Sequence, residues 1–176
     1  VAVLDCEGMS SPTPDPSPAR EAFFQAFRRH AAGVAAITSR APDGAPVGFT
    51  ATSLASLAAS PPLATFNMAQ ISSAWPAMTV GNFVAIHMLG TRTRSHADRM
   101  AADHALRFDG EHWHPGAHEL PILEAVTAVM VGRIVAVHPA NENAVVVVEI
   151  EGGDQGEDDE ALLYYGRRYH RPGNVV

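Results

Sequence analysis

The sequence predicts a mainly β domain, an antiparallel barrel of six to seven strands with short helices. Three observations carry this expectation. Short runs rich in Val, Ile, Leu and Phe recur along the chain, and Gly and Pro turn signals separate them. Helical periodicity is confined to a few short stretches. No Gly-rich phosphate fingerprint of the dinucleotide or P-loop type follows any of the strand-like runs. Six or seven strands at hairpin spacing favour closure over an open sheet.

Bulk properties narrow the class. At 176 residues, with 47% hydrophobic and 18% charged residues, the chain fits one domain with a sizeable core. A formal charge of −7 argues against a nucleic-acid partner, while leaving room for a local basic pocket around a small anion. No apolar run is long enough for a spanning helix, so no membrane association is expected. The opening VAVLDCEGMS lacks the basic start and apolar stretch of a secretory leader, so a cytoplasmic location is expected. The single cysteine, Cys6, cannot form an intrachain disulfide, and nothing places it beside a base.

Residues 1–16 end in alternating prolines and are expected to form a flexible N-terminal arm, with the domain spanning 17–176. Ser17 is an N-cap, Pro18 sits at N1 and Glu21 in the first turn. Phe23, Phe24, Phe27 and Ala31 keep helical spacing up to a stop at Gly33. Strands follow at Val34–Thr38, from Val47 through GFTATSLASL, and at Leu63–Asn67 after the Pro61-Pro62 break. Ser72 or Ser73 is expected to cap a short helix through Met78. Phe83–Leu89 is a strand and Thr93–Ala102 a short helix. The polar, Gly- and His-rich stretch Asp103–Leu120 is a surface excursion. Ala125–Val137 and Ala144–Ile150 are long strands, and Val145–Val148 is β-branched throughout, as in a strand buried on both faces. Gly152–Glu160 is an acidic hairpin loop before Leu162–Tyr165 closes the sheet.

Several positions could carry chemistry. Gly48-Phe49-Thr50-Ala51-Thr52-Ser53 combines a glycine with three hydroxyl side chains, suited to a flat heterocycle with polar edges. A hydroxylated edge strand would give the same pattern. Ser72-Ser73 before a helix start could bind phosphate or simply cap. Arg92, Arg94 and Arg99 form a cationic group, for which a phosphate partner and plain surface solvation are both open. His112, His114 and His118 have HxHxxxH spacing, but no cysteine joins them and no metal is assigned. His30 is explained by the helix dipole. Asp154, Glu157, Asp158, Asp159 and Glu160 form a solvated loop. There is no Gly-x-Ser-x-Gly nucleophile elbow, and no catalytic residue is assigned.

Taken in order, these segments resemble the flavin reductase-like family, whose fold is the FMN-binding split barrel. The resemblance runs from FFQAFRRHAAGVAAITS through PVGFTATSLASLAASPPLATF, SSAWP, GNFVAIHML, ADRM, LRFDG with HW, and LPILEAVTAVMVGRI to LLYYGRRYHRPG, about residues 20–173. It implies that Gly48, Phe49, Thr50, Thr52 and Ser53 line the isoalloxazine and ribityl part of a flavin. Asn67, Met68 and Ala69 would pass beside it. Ser72 and Ser73 would approach the phosphate, with Arg99 directed at that phosphate. It further implies FMN, or FAD, as cofactor, NADH or NADPH as hydride donor, a homodimer, and a partner monooxygenase that receives reduced flavin. One departure stands out: the family's Gly-Asp-His is replaced by Asn141-Glu142-Asn143, with His138 and His170 as spatial substitutes. That replacement also admits a flavin-binding carrier, sensor or storage module with little reductase activity.

Overall fold

A computed structural model describes residues 17–174. The expected arm at 1–16, Cys6 included, lies outside them. In chain order the elements are α1 (Pro18–Arg28), β1 (Ala32–Gly33), β2 (Ala35–Arg40), β3 (Pro46–Ala51), β4 (Ala55–Ala59), β5 (Pro62–Ala69), β6 (Phe83–Met88), α2 (Arg94–Ala101), β7 (Trp113–Pro115), β8 (Pro121–Leu123), β9 (Ala128–Ala140), β10 (Asn143–Gln155), β11 (Leu163–Tyr165) and β12 (Arg168–His170). Helix α1 begins as the sequence demands: Ser17 Oγ accepts from Arg20 N, and Pro18 opens the first turn.

The main sheet has seven strands in the order β3-β2-β6-β9-β10-β5-β4, every neighbouring pair antiparallel. Its two end strands are consecutive in the chain, separated only by residues 52–54. Ile37, Phe66, Ile86, Ile134, Val146 and Val148 come from five different strands and meet in one fully shielded core. The Phe49 ring of β3 packs edge-on against Phe66 of β5, with centroids 5.8 Å apart. Strands far apart in sheet order therefore touch through the core, so the sheet curls. Alternation along β10 shows which face meets this core: Ala144, Val146 and Val148 point inward, while Val145 and Val147 are only half-buried.

A second layer covers the outer face of β2. Ala97 and Met100 of α2 pack there with Val34, Ala36, Leu89 and Leu123, flanked by Phe108 and Trp113. His87 is sealed beneath it. Its Nδ1–H donates to Ala36 O (3.1 Å), and Nε2 accepts from Leu123 N (3.1 Å), an arrangement that fixes the neutral tautomer. Burial drives its pKa down to about 4, against a raising contribution from the Ala36 bond, and His96 and His114 add to the lowering. The unfolded chain protonates this ring below about pH 6.5, whereas the folded protein resists until about pH 4. Stability should thus fall by about 1.4 kcal/mol per pH unit through that window. Urea unfolding at stepped pH should show this slope for the native chain and a flatter one for His87→Gln.

Several expectations are corrected. The single strand expected from Val47 through Leu57 is two strands on opposite edges of the sheet, because the chain turns at residues 52–54. The expected helix through Met78 is a three-residue 3-10 turn, Trp75–Ala77, with Ala74 rather than a serine at its cap. Strand β10 extends to Gln155, so Gly152–Gln155 is ladder and not loop. Leu163–Tyr165 does not close the main sheet; it joins β1 and β12 in a separate three-stranded sheet. No helix among the described residues is long and apolar enough to cross a membrane.

Candidate functional site

The segment from Gly48 to Ser53 and the segment from Asn67 to Ser73 run beside each other at the edge of the curl, tied at both ends. At one end Ser53 Oγ accepts from Asn67 N (2.9 Å) and reaches Asn67 O (3.3 Å). At the other, Arg107 Nη1 donates to Gly48 O and lies 3.4 Å from Ser73 Oγ. Strand rise places Gly48 and Thr52 about 13 Å apart. Between the ties, the Thr52 hydroxyl and the Asn67 carboxamide are exposed and make no hydrogen bond among the described residues.

The candidate residues divide by what they touch. Gly48 is buried, and an added Cβ would sit 2.9 Å from Ile37 O and 3.1 Å from the Phe108 ring, so only glycine fits. Phe49 faces the core rather than the edge. Thr50 Oγ1 donates to Ala97 O (2.7 Å) and fastens α2 to β3. Met68 is buried in the core, while Ala69 pairs with Asn143. Ser72 Oγ accepts from Ala74 N (3.3 Å). A three-residue 3-10 turn supplies no helix-terminal anion site, so the case for Ser72 and Ser73 rests on their hydroxyls and on Arg107.

The arginines are redistributed. Arg92 pairs with Asp159 (3.6 Å), whose carboxylate also accepts from Thr91 Oγ1 and Arg92 N, so Asp159 pins a turn instead of merely facing solvent. Arg94 pairs with Asp98 (3.5 Å). Arg99 Nη1 donates to Leu106 O (3.3 Å) and Asp109 O (2.8 Å). The arginine beside Ser73 is Arg107, in the LRFDG stretch, which sequence reasoning misses.

Arg107 sits on a built loop. The carbonyls of Leu106 and Asp109 accept from Arg99, that of Arg107 from His112 Nε2 (2.9 Å) and that of Phe108 from Trp113 Nε1 (3.0 Å). Four successive carbonyls are thus held by side chains, which explains why His112 and Trp113 follow the loop. Burial lowers the His112 pKa, against a raising contribution from its bond to the Arg107 carbonyl. The guanidinium is further fixed by Nε and Nη2 bonds to Ala102 O (3.0 and 2.9 Å). Burial pulls its pKa below the ordinary arginine value, with Asp103 opposing. One Nη2 hydrogen has no acceptor among the described residues, and the long Ser73 contact is readily exchanged for an anion.

The three histidines of the HxHxxxH stretch serve separate partners: His112 the Arg107 carbonyl, His114 the Glu124 carboxylate at 3.7 Å, and His118 the Phe83 ring, stacked at 3.6 Å. Asn143 opens β10 where the expected family histidine would stand. Asn67, Val145 and His138 are cross-strand partners in one outward-facing row, so His138 shares a face with Asn143 one pair along. His170 lies in the other sheet, bonded to Tyr165 O.

A fixed guanidinium, the Ser73 hydroxyl and the exposed Thr52 and Asn67 side chains line one edge of a curled antiparallel sheet, an arrangement suited to an elongated anionic small molecule. The family model described as flavin reductase like domain matches residues 27–173, and the chain belongs to that family. It is 35% identical over 155 residues to an NADH:FMN oxidoreductase of Rhodococcus qingshengii, covering 85% of this chain and 80% of that one. It is 28% identical over 158 residues to the 4-hydroxyphenylacetate 3-monooxygenase reductase component of Pseudomonas aeruginosa, covering 88% and 92%. Among solved structures, a flavin reductase domain protein from an Arthrobacter species superposes with a TM-score of 0.84 at 47% identity, covering 89% of this chain and 97% of that one.

Proposed function

We propose that the protein is an NAD(P)H-dependent flavin reductase with FMN, or FAD, held along the Gly48–Ser53 and Asn67–Ser73 strip. The observation that carries this reading is the pair of ties. Hydroxyl and amide groups surround one end, and Arg107 with Ser73 forms a cationic end about 13 Å further along the strand. A ring with polar edges and a phosphate tail matches that polarity. When bound, the flavin supplies hydride acceptance at N5 from the nicotinamide, and the protein's part is orientation and exclusion of water. Thr52 and Asn67 offer hydrogen bonds to the ring edge, and Arg107 and Ser73 anchor the phosphate.

The sheet's curl, with β3 and β5 meeting through Phe49 and Phe66, supports a split barrel. A homodimer is supported by exposed apolar surface. Helix α1 buries none of its residues, and Phe23 and Phe27 are 56% and 59% exposed. A monooxygenase that accepts the reduced flavin fits the reductase-component relative.

Because Asn143 stands where the family histidine is expected, His138 is the imidazole on the same sheet face available to the nicotinamide. NADH consumption with added FMN tests the reading. Turnover well above free flavin chemistry is expected, with His138→Ala raising the KM for NADH several-fold while FMN affinity holds. Turnover no faster than free flavin chemistry, with FMN binding intact, would leave the carrier reading that Asn143 favours.

A further inference from the structure

The turn between β9 and β10 is held by one side chain from a neighbouring segment. Gln70 Nε2 donates to Asn141 O (2.8 Å) and to Asn143 O (2.8 Å), and Gln70 N donates to Glu142 O (2.8 Å). Three successive carbonyls of one turn thus go to one residue. Both amide hydrogens of the side chain are used, so the carboxamide has one orientation that fits. Asn141 sits at φ 53° in this two-residue hairpin loop, whose carbonyls would otherwise be left to water.

This end of the hairpin has little other support. Strand β9 pairs with β6 only as far as Arg133, and the bonds of Ile134 to Gly81 and Asn82 end that contact. Along residues 135–140, where His138 stands, β10 is the one ladder neighbour of β9 among the described residues. Gln70 lies between Ala69, the cross-strand partner of Asn143, and Ser72. The residue that fixes the hairpin end therefore belongs to the same segment as Asn67 and Ser73.

We propose that Gln70 is a positioning residue for the hydride-donor side of the site: by clamping the β9–β10 turn it sets the place of His138 relative to Asn67. The inference rests on the NAD(P)H-dependent reductase reading. His138 and Asn67 are both cross-strand partners of Val145, so the hairpin end fixes one against the other. The Gln70 carboxamide hydrogens are committed to the two carbonyls, so the residue acts through the turn and not on a bound cofactor. Hydride transfer tolerates little play here, because a misplacement of about 1 Å can cost about 100-fold in rate.

NADH kinetics at saturating FMN, FMN titration and amide hydrogen exchange test this on the native protein and on Gln70→Met, which keeps the side chain's length and removes its donors. Gln70→Met should raise the KM for NADH several-fold and hold FMN affinity. In the flavin-free protein it should speed exchange of the amides of residues 140–143. Combined with His138→Ala it should add nothing to the loss from His138→Ala alone, because it acts through that ring. Gln70→Lys, which keeps N–H donors at similar reach, should lie near the native values. Thermal melts check that each variant is folded. A native KM and native exchange in Gln70→Met would overturn the positioning role while the reductase reading stands. So would additive losses in the double variant, or a Gln70→Lys no better than Gln70→Met. A parallel fall in FMN affinity would also overturn it, by making Gln70 part of the flavin strip. A native protein that consumes NADH no faster than free flavin chemistry would remove the reductase reading and this role together.

Discussion

Arg107→Ala is expected to weaken FMN binding by about 10- to 100-fold while riboflavin loses little, because a charged hydrogen bond to phosphate is worth about 1.5–3 kcal/mol. The guanidinium is pre-positioned by Ala102 O and Gly48 O, so its removal costs the anion a donor that needed no reorganisation. Arg99→Ala should have a smaller effect, since Arg99 acts through the carbonyls of Leu106 and Asp109 and has no contact with Ser73. Paired titrations with FMN and riboflavin measure both. A larger selective loss for Arg99→Ala than for Arg107→Ala would return the phosphate role to the residue the sequence pointed to.

The largest stability effect is expected at Phe66→Ala, about 3–5 kcal/mol. Phe66 is fully buried, and its ring is the contact through which β5 meets Phe49 of β3. Truncation leaves a cavity in the middle of the curl, where strands from both halves of the sheet converge and none can collapse without losing its ladder. Denaturant unfolding should show the midpoint falling at unchanged m-value. A loss below about 1 kcal/mol, the cost of a well-accommodated swap, would mean that the sheet does not depend on that contact to curl.

The sequence made the strands legible and hid their partners. Alternation marks β5 and β10, which bury one face in the common core, and continuous apolar or β-branched runs mark β2 and β6, which are covered on both faces. What local pattern does not encode is sheet order. GFTATSLASL is continuous strand-like text, and the strand pairings show the chain crossing from one sheet edge to the other, with Ser53 bonded to Asn67 at the crossing. Likewise SSAWPAM carries cap-like serines, yet Pro76 and the docking of Ala74, Ala77 and Met78 into the core leave room for one 3-10 turn.

The site was half legible for the same reason. Gly48, Thr52, Ser53, Asn67 and Ser73 meet at the edge as adjacent segments of two strands. The family resemblance points to Arg99, whereas Arg107 depends on a loop whose shape comes from distant donors. The cue lay in LRFDG followed by His112 and Trp113, two ring N–H donors spaced to hold the carbonyls of Arg107 and Phe108.

The most direct test of the account is the structure of the protein crystallised with FMN. The phosphate should lie within hydrogen-bond distance of Arg107 and Ser73, with the isoalloxazine along Thr52 and Asn67. A phosphate held at another surface, or a ring bound away from that strip, would contradict it.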